Sequence, residues 1–349
     1  MNKDRIEMLQ KLVTWRDITN TDIENCGIDF PVGLNDHEIF PRNALLDLFN
    51  YYYKQKNDNE IIQFSRLILK YMSKDNYYCL FYGKEFKKIL TYLQKANKVF
   101  KAKNLCEYYL LSLGVLKKEN NSLFISDFSA GNYSYSFPVI FLNSYMSILL
   151  KLDETKLAKK LLKECLYHDN LKDDSKILFK RILDKIDKKK IKYKFPVIKI
   201  KKNELDSNLL SEPKIELTAL NYLRDALNYE GIFADVDIWR LIFNILTKEI
   251  SEEDFNNFYE EIIGISSPPD FYEFVLYNES MFKIACESRN VTFGFVGYPD
   301  LILYNKKHFA DYIFFEVKDI NDRLQPHQEA LLNYYTENNI RCKLLKFVK

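Results

Sequence analysis

The segment Gly297-Tyr298-Pro299-Asp300-Leu301-Ile302-Leu303-Tyr304, with Asp311-Tyr312-Ile313-Phe314-Phe315-Glu316-Val317-Lys318 and Asp319 to Gln328 after it, sets the architecture of the chain's C-terminal part. Asp300–Tyr304 and Asp311–Lys318 are short apolar runs rich in β-branched and aromatic residues. The polar turn Asn305-Lys306-Lys307-His308 joins them, so they are predicted to form a β-hairpin. A helix over Pro326–Asn338 and a strand over Cys342–Val348 complete an αβ unit. Asp300 opens one strand, and Glu316 and Lys318 close the next. Residues two apart on a strand share a face, so Glu316 and Lys318 point together while Val317 enters the core. In an antiparallel pair Asp300 comes near Glu316. Two such carboxylates repel unless a cation lies between them. A hard divalent ion, Mg²⁺ or Mn²⁺, suits oxygen ligands of this kind. A lysine beside them can act on a water or balance charge on a phosphate. Phosphodiester hydrolysis needs this set.

Working outward, Lys214–Tyr229, Val236–Thr247, Glu252–Ile263 and Asp270–Cys286 read as helices, the second strongly apolar. Before them, Asp184–Lys202 holds nine Lys against two Asp and ends in an alternating stretch. It reads as a basic boundary segment able to lie along a phosphate backbone. Residues 43–190 read as helix pairs with breaks near 58, 103 and 154. That loose period matches helical-repeat architectures of the tetratricopeptide kind. Residues 118–135 read as a polar loop. The expected division is a helical, TPR-like domain over 1–190, a basic linker over 191–213 and a catalytic domain over 214–349.

The formal charge of +2 hides an asymmetry. Residues 214–349 carry 14 Lys+Arg and 22 Asp+Glu, and the remainder carries 37 and 27. An acidic module joined to a basic one suits a metal-dependent enzyme acting on a polyanion. The six Cys are scattered without a C-x-x-C pair and the four His do not cluster with them. Reduced thiols in a cytosolic protein are expected, and a zinc site is not. No secretory signal or membrane span is expected, nor does a Walker loop or dinucleotide fingerprint occur.

The segment GYPDLILY…YIFFEVKDINDRLQPHQ resembles the VRR-NUC family, a branch of the PD-(D/E)XK nuclease superfamily. Gly297, Pro299, Asp300, Leu301, Glu316, Val317, Lys318, Asp322, Leu324 and Gln328 match its pattern. The resemblance covers about residues 214–349 and is similar to the nuclease domain of Fanconi-associated nucleases. It implies an α+β, α-rich chain ending in a PD-(D/E)XK fold with a small mixed sheet. It implies that Asp300 and Glu316 bind Mg²⁺ or Mn²⁺ with help from the Val317 carbonyl, that Lys318 is catalytic, and that Gln328 supports the site. The family adds a glutamate from an upstream helix, for which Glu230 is the expected residue. Such nucleases often carry an Arg upstream of the Gly-x-Pro-Asp, where this chain has Phe293-Gly294-Phe295-Val296. Phosphate contacts then fall to Lys318, Arg323, and Lys188, Lys189 and Lys190 of the basic segment. The implied activity is hydrolysis of branched or flapped DNA in repair, with protein partners of the helical domain or a homodimer as further expectations. The alternatives are an effector of defence against phage or plasmids, and a non-catalytic DNA-binding scaffold.

Overall fold

The computed structural model describes residues 3–14, 36–72, 87–120, 122–126, 136–189, 192–205, 212–287 and 297–349. The chain divides into two compact units after Glu164.

The first unit holds α1 (Lys3–Thr14), α2 (Asp36–Lys54), α3 (Asp58–Met72), α4 (87–95), α5 (Val99–Ser112), α6 (Phe137–Lys151) and most of α7 (Thr155–Leu166). Three helix pairs turn in the same way. Lys56, Asn97 and Asp153 sit at the turns with φ of 55°, 58° and 58°. The next amide reaches back five residues in each: Asn57 to Tyr52 O at 3.2 Å, Lys98 to Leu93 O at 2.8 Å, Glu154 to Leu149 O at 2.9 Å. This left-handed cap satisfies carbonyls that the ending helix leaves open. The break expected near 103 therefore lies at 96–98, and Lys101–Asn104 is inside α5. Part of the stretch expected as loop, 118–119 and 122–125, belongs instead to an antiparallel hairpin, β1 (Leu116–Glu119) and β2 (Ser122–Ile125), and 127–135 lie outside the described residues. It is held to α7, where Lys160 donates to Leu123 O at 2.9 Å and Glu164 accepts from the Ile125 amide at 2.8 Å.

The second unit is built on a five-stranded mixed sheet of order β3-β7-β6-β5-β4. Its strands are β3 (Val197–Lys201), β4 (Glu230–Phe233), β5 (Leu301–Asn305), β6 (His308–Lys318) and β7 (Cys342–Val348). The β5–β6 hairpin is antiparallel as expected, β4 pairs antiparallel with β5, and β6, β7 and β3 run parallel. The helices are α8 (Asp173–Ile186), α9 (Ile215–Leu227), α10 (Val236–Leu246), α11 (Glu252–Ile263), α12 (Phe271–Tyr277), α13 (Glu279–Glu287) and α14 (Pro326–Glu337). Alternation along the strands gives the sheet two apolar faces. Leu301, Leu303, Phe315, Val317 and Leu345 pack with Leu220 and Leu223 of α9. Ile302, Tyr304, Phe314 and Leu344 pack with Trp239, Phe274, Phe282 and Tyr335 from α10, α12, α13 and α14.

Two parts of the expected division are drawn differently. The basic linker contains β3, whose Ile198 and Ile200 pack with the α9 face while Val197 and Lys199 remain exposed. Helix α8 joins the sheet-bearing unit, because Arg181 donates to Glu329 on α14 and to Leu324 O at 2.7 Å. Among the described residues no helix is long and apolar enough to cross a membrane.

Candidate metal-dependent site

The site forms where β5 begins and β6 ends. Gly297 has φ +88°, a left-handed value that favours glycine. A Cβ there would stand 2.5 Å from His327 Cδ2 and 3.4 Å from Gln328 Cγ. The turn that follows is pinned at each residue. The Tyr298 hydroxyl donates to Ala285 O and Cys286 O at 3.1 Å each. The buried Trp239 indole donates to Pro299 O at 3.0 Å, and the Ala234 amide to Asp300 O at 2.7 Å. Asp300 thus enters β5 on a backbone fixed by α10, α13 and β4.

Leu301 pairs with Phe315, so Asp300 comes opposite Glu316. The Val317 amide donates to Asp300 Oδ2 at 2.7 Å. Glu316 is 0% exposed, and its Oε1 accepts from Lys318 Nζ at 2.5 Å. Its Oε2 is buried without a hydrogen-bond partner. Burial, then the charge of Asp300, pushes the Glu316 carboxyl well above its ordinary value, against the pull of Lys318. Burial likewise pushes Asp300 up to about 6; the Val317 amide and Lys318 oppose this and the negative charge of Glu216 adds to it. Burial pulls Lys318 down, but Glu316 and Asp300 outweigh it, so its ammonium is held above the ordinary value. Two carboxyls thus share one ammonium, and burial favours a proton on the pair unless a cation takes its place.

The other expected residues divide. Gln328 lies against Gly297, and its Oε1 accepts from the Gln325 amide at 2.9 Å, capping α14. It buttresses the Gly297 turn while closing a helix end. Glu230 does not join the pair. It faces Tyr304 at the far end of β5, four residues from Asp300 or about 13 Å along the strand, and ion-pairs with Lys306 at 3.3 Å. The acid whose charge reaches Asp300 is Glu216, in the first turn of α9. The signal available for it was an acid at a helix start, directly after the basic segment. Beside Lys318 opens a groove of about 660 Å³, into which Arg323 and Lys189 also project. Lys188 is exposed at the left-handed end of α8, with φ 55°. Lys190 lies outside the described residues.

These features, a glycine turn into an aspartate and a buried Glu-x-Lys on the paired strand, have a counterpart among known families. Residues 279–348 match the VRR-NUC domain family. The matched region therefore runs from α13 to β7 and contains Asp300, Glu316, Lys318 and Gln328, whereas Glu216 and Glu230 precede it. No curated protein sequence matches the chain. Among solved structures it is similar to a crystal structure of paFAN1 bound to 2-nucleotide 5′-flap DNA with a gap. That likeness has a TM-score of 0.47 and 11% identity, over 98% of this chain and 60% of that one. A second paFAN1 structure, bound to 1-nucleotide 5′-flap DNA with a gap, has a TM-score of 0.47 and 12% identity, over 99% and 62%. The chain thus spans about three fifths of the length of those proteins.

Whether a divalent ion fits this site is decided by its donors. Among the described residues no group of three or more His, Cys, Asp and Glu is gathered tightly enough to hold one. Asp300 and Glu316 nevertheless supply two carboxylates in contact, and one Glu316 oxygen is buried without a partner. A buried acceptor of this kind is costly unless something satisfies it. All the donors are oxygens, so the set fits Mg²⁺ or Mn²⁺.

Proposed function

We propose that this protein is a divalent-metal-dependent nuclease that hydrolyses DNA phosphodiesters at the Asp300–Glu316–Lys318 site, acting on flapped or branched DNA. The observation that carries the reading is the buried, unpartnered Glu316 Oε2 beside the Asp300 carboxyl, with Lys318 Nζ 2.5 Å from the other Glu316 oxygen. The match of residues 279–348 to the VRR-NUC family supports the same reading.

Asp300 and Glu316 would hold the ion, the Val317 carbonyl would assist, and Glu216, whose charge reaches Asp300, would serve in place of Glu230. A bound Mg²⁺ or Mn²⁺ supplies Lewis acidity toward the phosphate and acidifies a water. Lys318, beside both acids, would act on the attacking water or offset phosphate charge. The Val317 amide fixes one Asp300 oxygen. Gln328 keeps α14 against the Gly297 turn.

The test is cleavage of labelled single-stranded, duplex, 5′-flap and four-way-junction DNA in Mn²⁺, Mg²⁺ or EDTA. Metal-dependent cutting, strongest on the flap or junction, is expected from the wild type and absent from Asp300→Ala. Lys318→Ala should lose cleavage while retaining DNA binding. Absence of cutting under every condition, or wild-type cutting by Lys318→Ala, would overturn the proposal.

A further inference from the structure

The basic segment before α9 is placed in the sheet, and the register puts its lysines in a row. Lys318 on β6 pairs with Lys346 on β7, and Lys346 pairs with Lys199 on β3. Direct partners on neighbouring strands share a face. The burial pattern agrees: Val317, Leu345 and Ile198 face the α9 side, so the three lysines face the other. Strands lie about 4.8 Å apart, so the row runs roughly 10 Å, across the strands, from the active site to the edge of the sheet.

Like charges directly opposite one another on a sheet are destabilising. Lys318 is balanced by Glu316. Among the described residues Lys346 donates to a carbonyl, Asp322 O at 3.4 Å, and forms no ion pair. Of the acids nearby, Glu204 pairs with Lys201, Asp319 with Lys202, Asp184 with Lys180 and Glu329 with Arg181, while Asp322 lines the same groove and its charge acts on Lys318. A lysine on an edge strand can serve to block pairing with other chains. That accounts for Lys199 but not for Lys346, which lies on an inner strand. The row also lines the groove of about 660 Å³, to which Lys185 of α8, Lys189 just beyond that helix, and Arg323 are added. Tyr193 lines the same groove and stacks on Phe195 with ring centroids 5.1 Å apart.

We propose that this row is a track for one nucleic-acid strand, carrying the backbone of the cleaved strand from Lys318 over Lys346 to Lys199, with Tyr193 at its side for a base. Aligned cations beside an aromatic face are the elements of single-strand binding. A groove of this volume matches a drug-sized ligand, one or two nucleotides rather than a duplex. The proposal rests on the nuclease reading for its direction, not for its binding chemistry.

Its test is therefore a binding experiment on the full chain in EDTA, where nothing is cut. Fluorescent oligo-dT and a duplex of equal length are titrated across a range of salt concentrations. For single strands each phosphate contact contributes about 0.7 to the slope of log K against log salt. Lys199→Gln/Lys346→Gln should lower that slope by about 1.4 on oligo-dT and leave duplex binding nearly unchanged. Lys199→Arg/Lys346→Arg should retain the wild-type slope. Lys194→Gln/Lys283→Gln, which removes two charges outside this groove, should also leave it unchanged. An unaltered slope in the first variant, a loss no larger on oligo-dT than on duplex, or an equal loss in the control overturns the track. A chain that binds as expected but cuts nothing would retain the track and sink the nuclease reading; the reverse result would do the opposite.

Discussion

Replacing Asp300 by Asn should stabilise the metal-free protein at alkaline pH and abolish its response to metal. The folded carboxyl is pushed from 3.8 to about 6. At about 1.4 kcal/mol per pH unit this amounts to roughly 3 kcal/mol. The sign follows from which state holds the proton more tightly. A raised acid favours its protonated form in the folded state, so folding is most favoured below about pH 4. That advantage is lost as pH rises through 6. Above pH 7 the ionised Asp300 carries the full cost, and it also pushes up the buried Glu316. Asn keeps an oxygen for the Val317 amide and removes the charge. The assay is urea denaturation of wild type and Asp300→Asn in EDTA from pH 5 to 8. Taking the difference between the two cancels the titrating groups that do not feel Asp300, and leaves Asp300 with its effect on Glu316. The variant should gain about 1.4 kcal/mol on wild type between pH 5 and pH 8, the rest of the roughly 3 kcal/mol falling below pH 5. Mn²⁺ at 100 times its Kd should then restore about 2.7 kcal/mol to wild type at pH 8 and nothing to the variant. A pH-independent difference between the two proteins, or equal stabilisation of both by Mn²⁺, would refute the reasoning.

Three further outcomes follow from the same geometry. Glu216→Gln should reduce metal affinity or cleavage by at least about tenfold, while Glu230→Gln, about 13 Å along β5 from Asp300, should cleave as wild type; equal behaviour of the two in a metal titration would contradict the placement. Gly297→Ala puts a Cβ at φ +88° and 2.5 Å from His327 Cδ2, so denaturation should show a loss of about 1–3 kcal/mol and cleavage should slow, because Asp300 is displaced. Trp239→Phe removes the donor to Pro299 O, so it should cost about 1–3 kcal/mol and slow cleavage, and a neutral result in both assays would mean the indole does not position the turn.

The sequence made the β5–β6 hairpin, α14 and β7 legible for a local reason. The strands are apolar runs bounded by turn residues, α14 opens on a proline, and period-two alternation alone places Glu316 and Lys318 on one face. The antiparallel pairing then brings Asp300 opposite Glu316 with no further assumption. Glu230 was misplaced because that inference treated nearness to an apolar helix as nearness to the site. Glu230 begins a strand antiparallel to β5, so its register with Tyr304 carries it to the wrong end. Glu216 is the converse case. Nothing within α9 shows that its first turn reaches Asp300, since that depends on how the helix lies over the sheet. The basic segment was read by its charge, which nine Lys dominate. Its strand character rests on only two residues, Ile198 and Ile200, and those take effect only when β7 is present to pair with them. Parallel pairing between residues about 150 positions apart leaves no mark in local spacing. The row of Lys199, Lys346 and Lys318 is therefore a property of the fold, assembled from three segments that each read as ordinary.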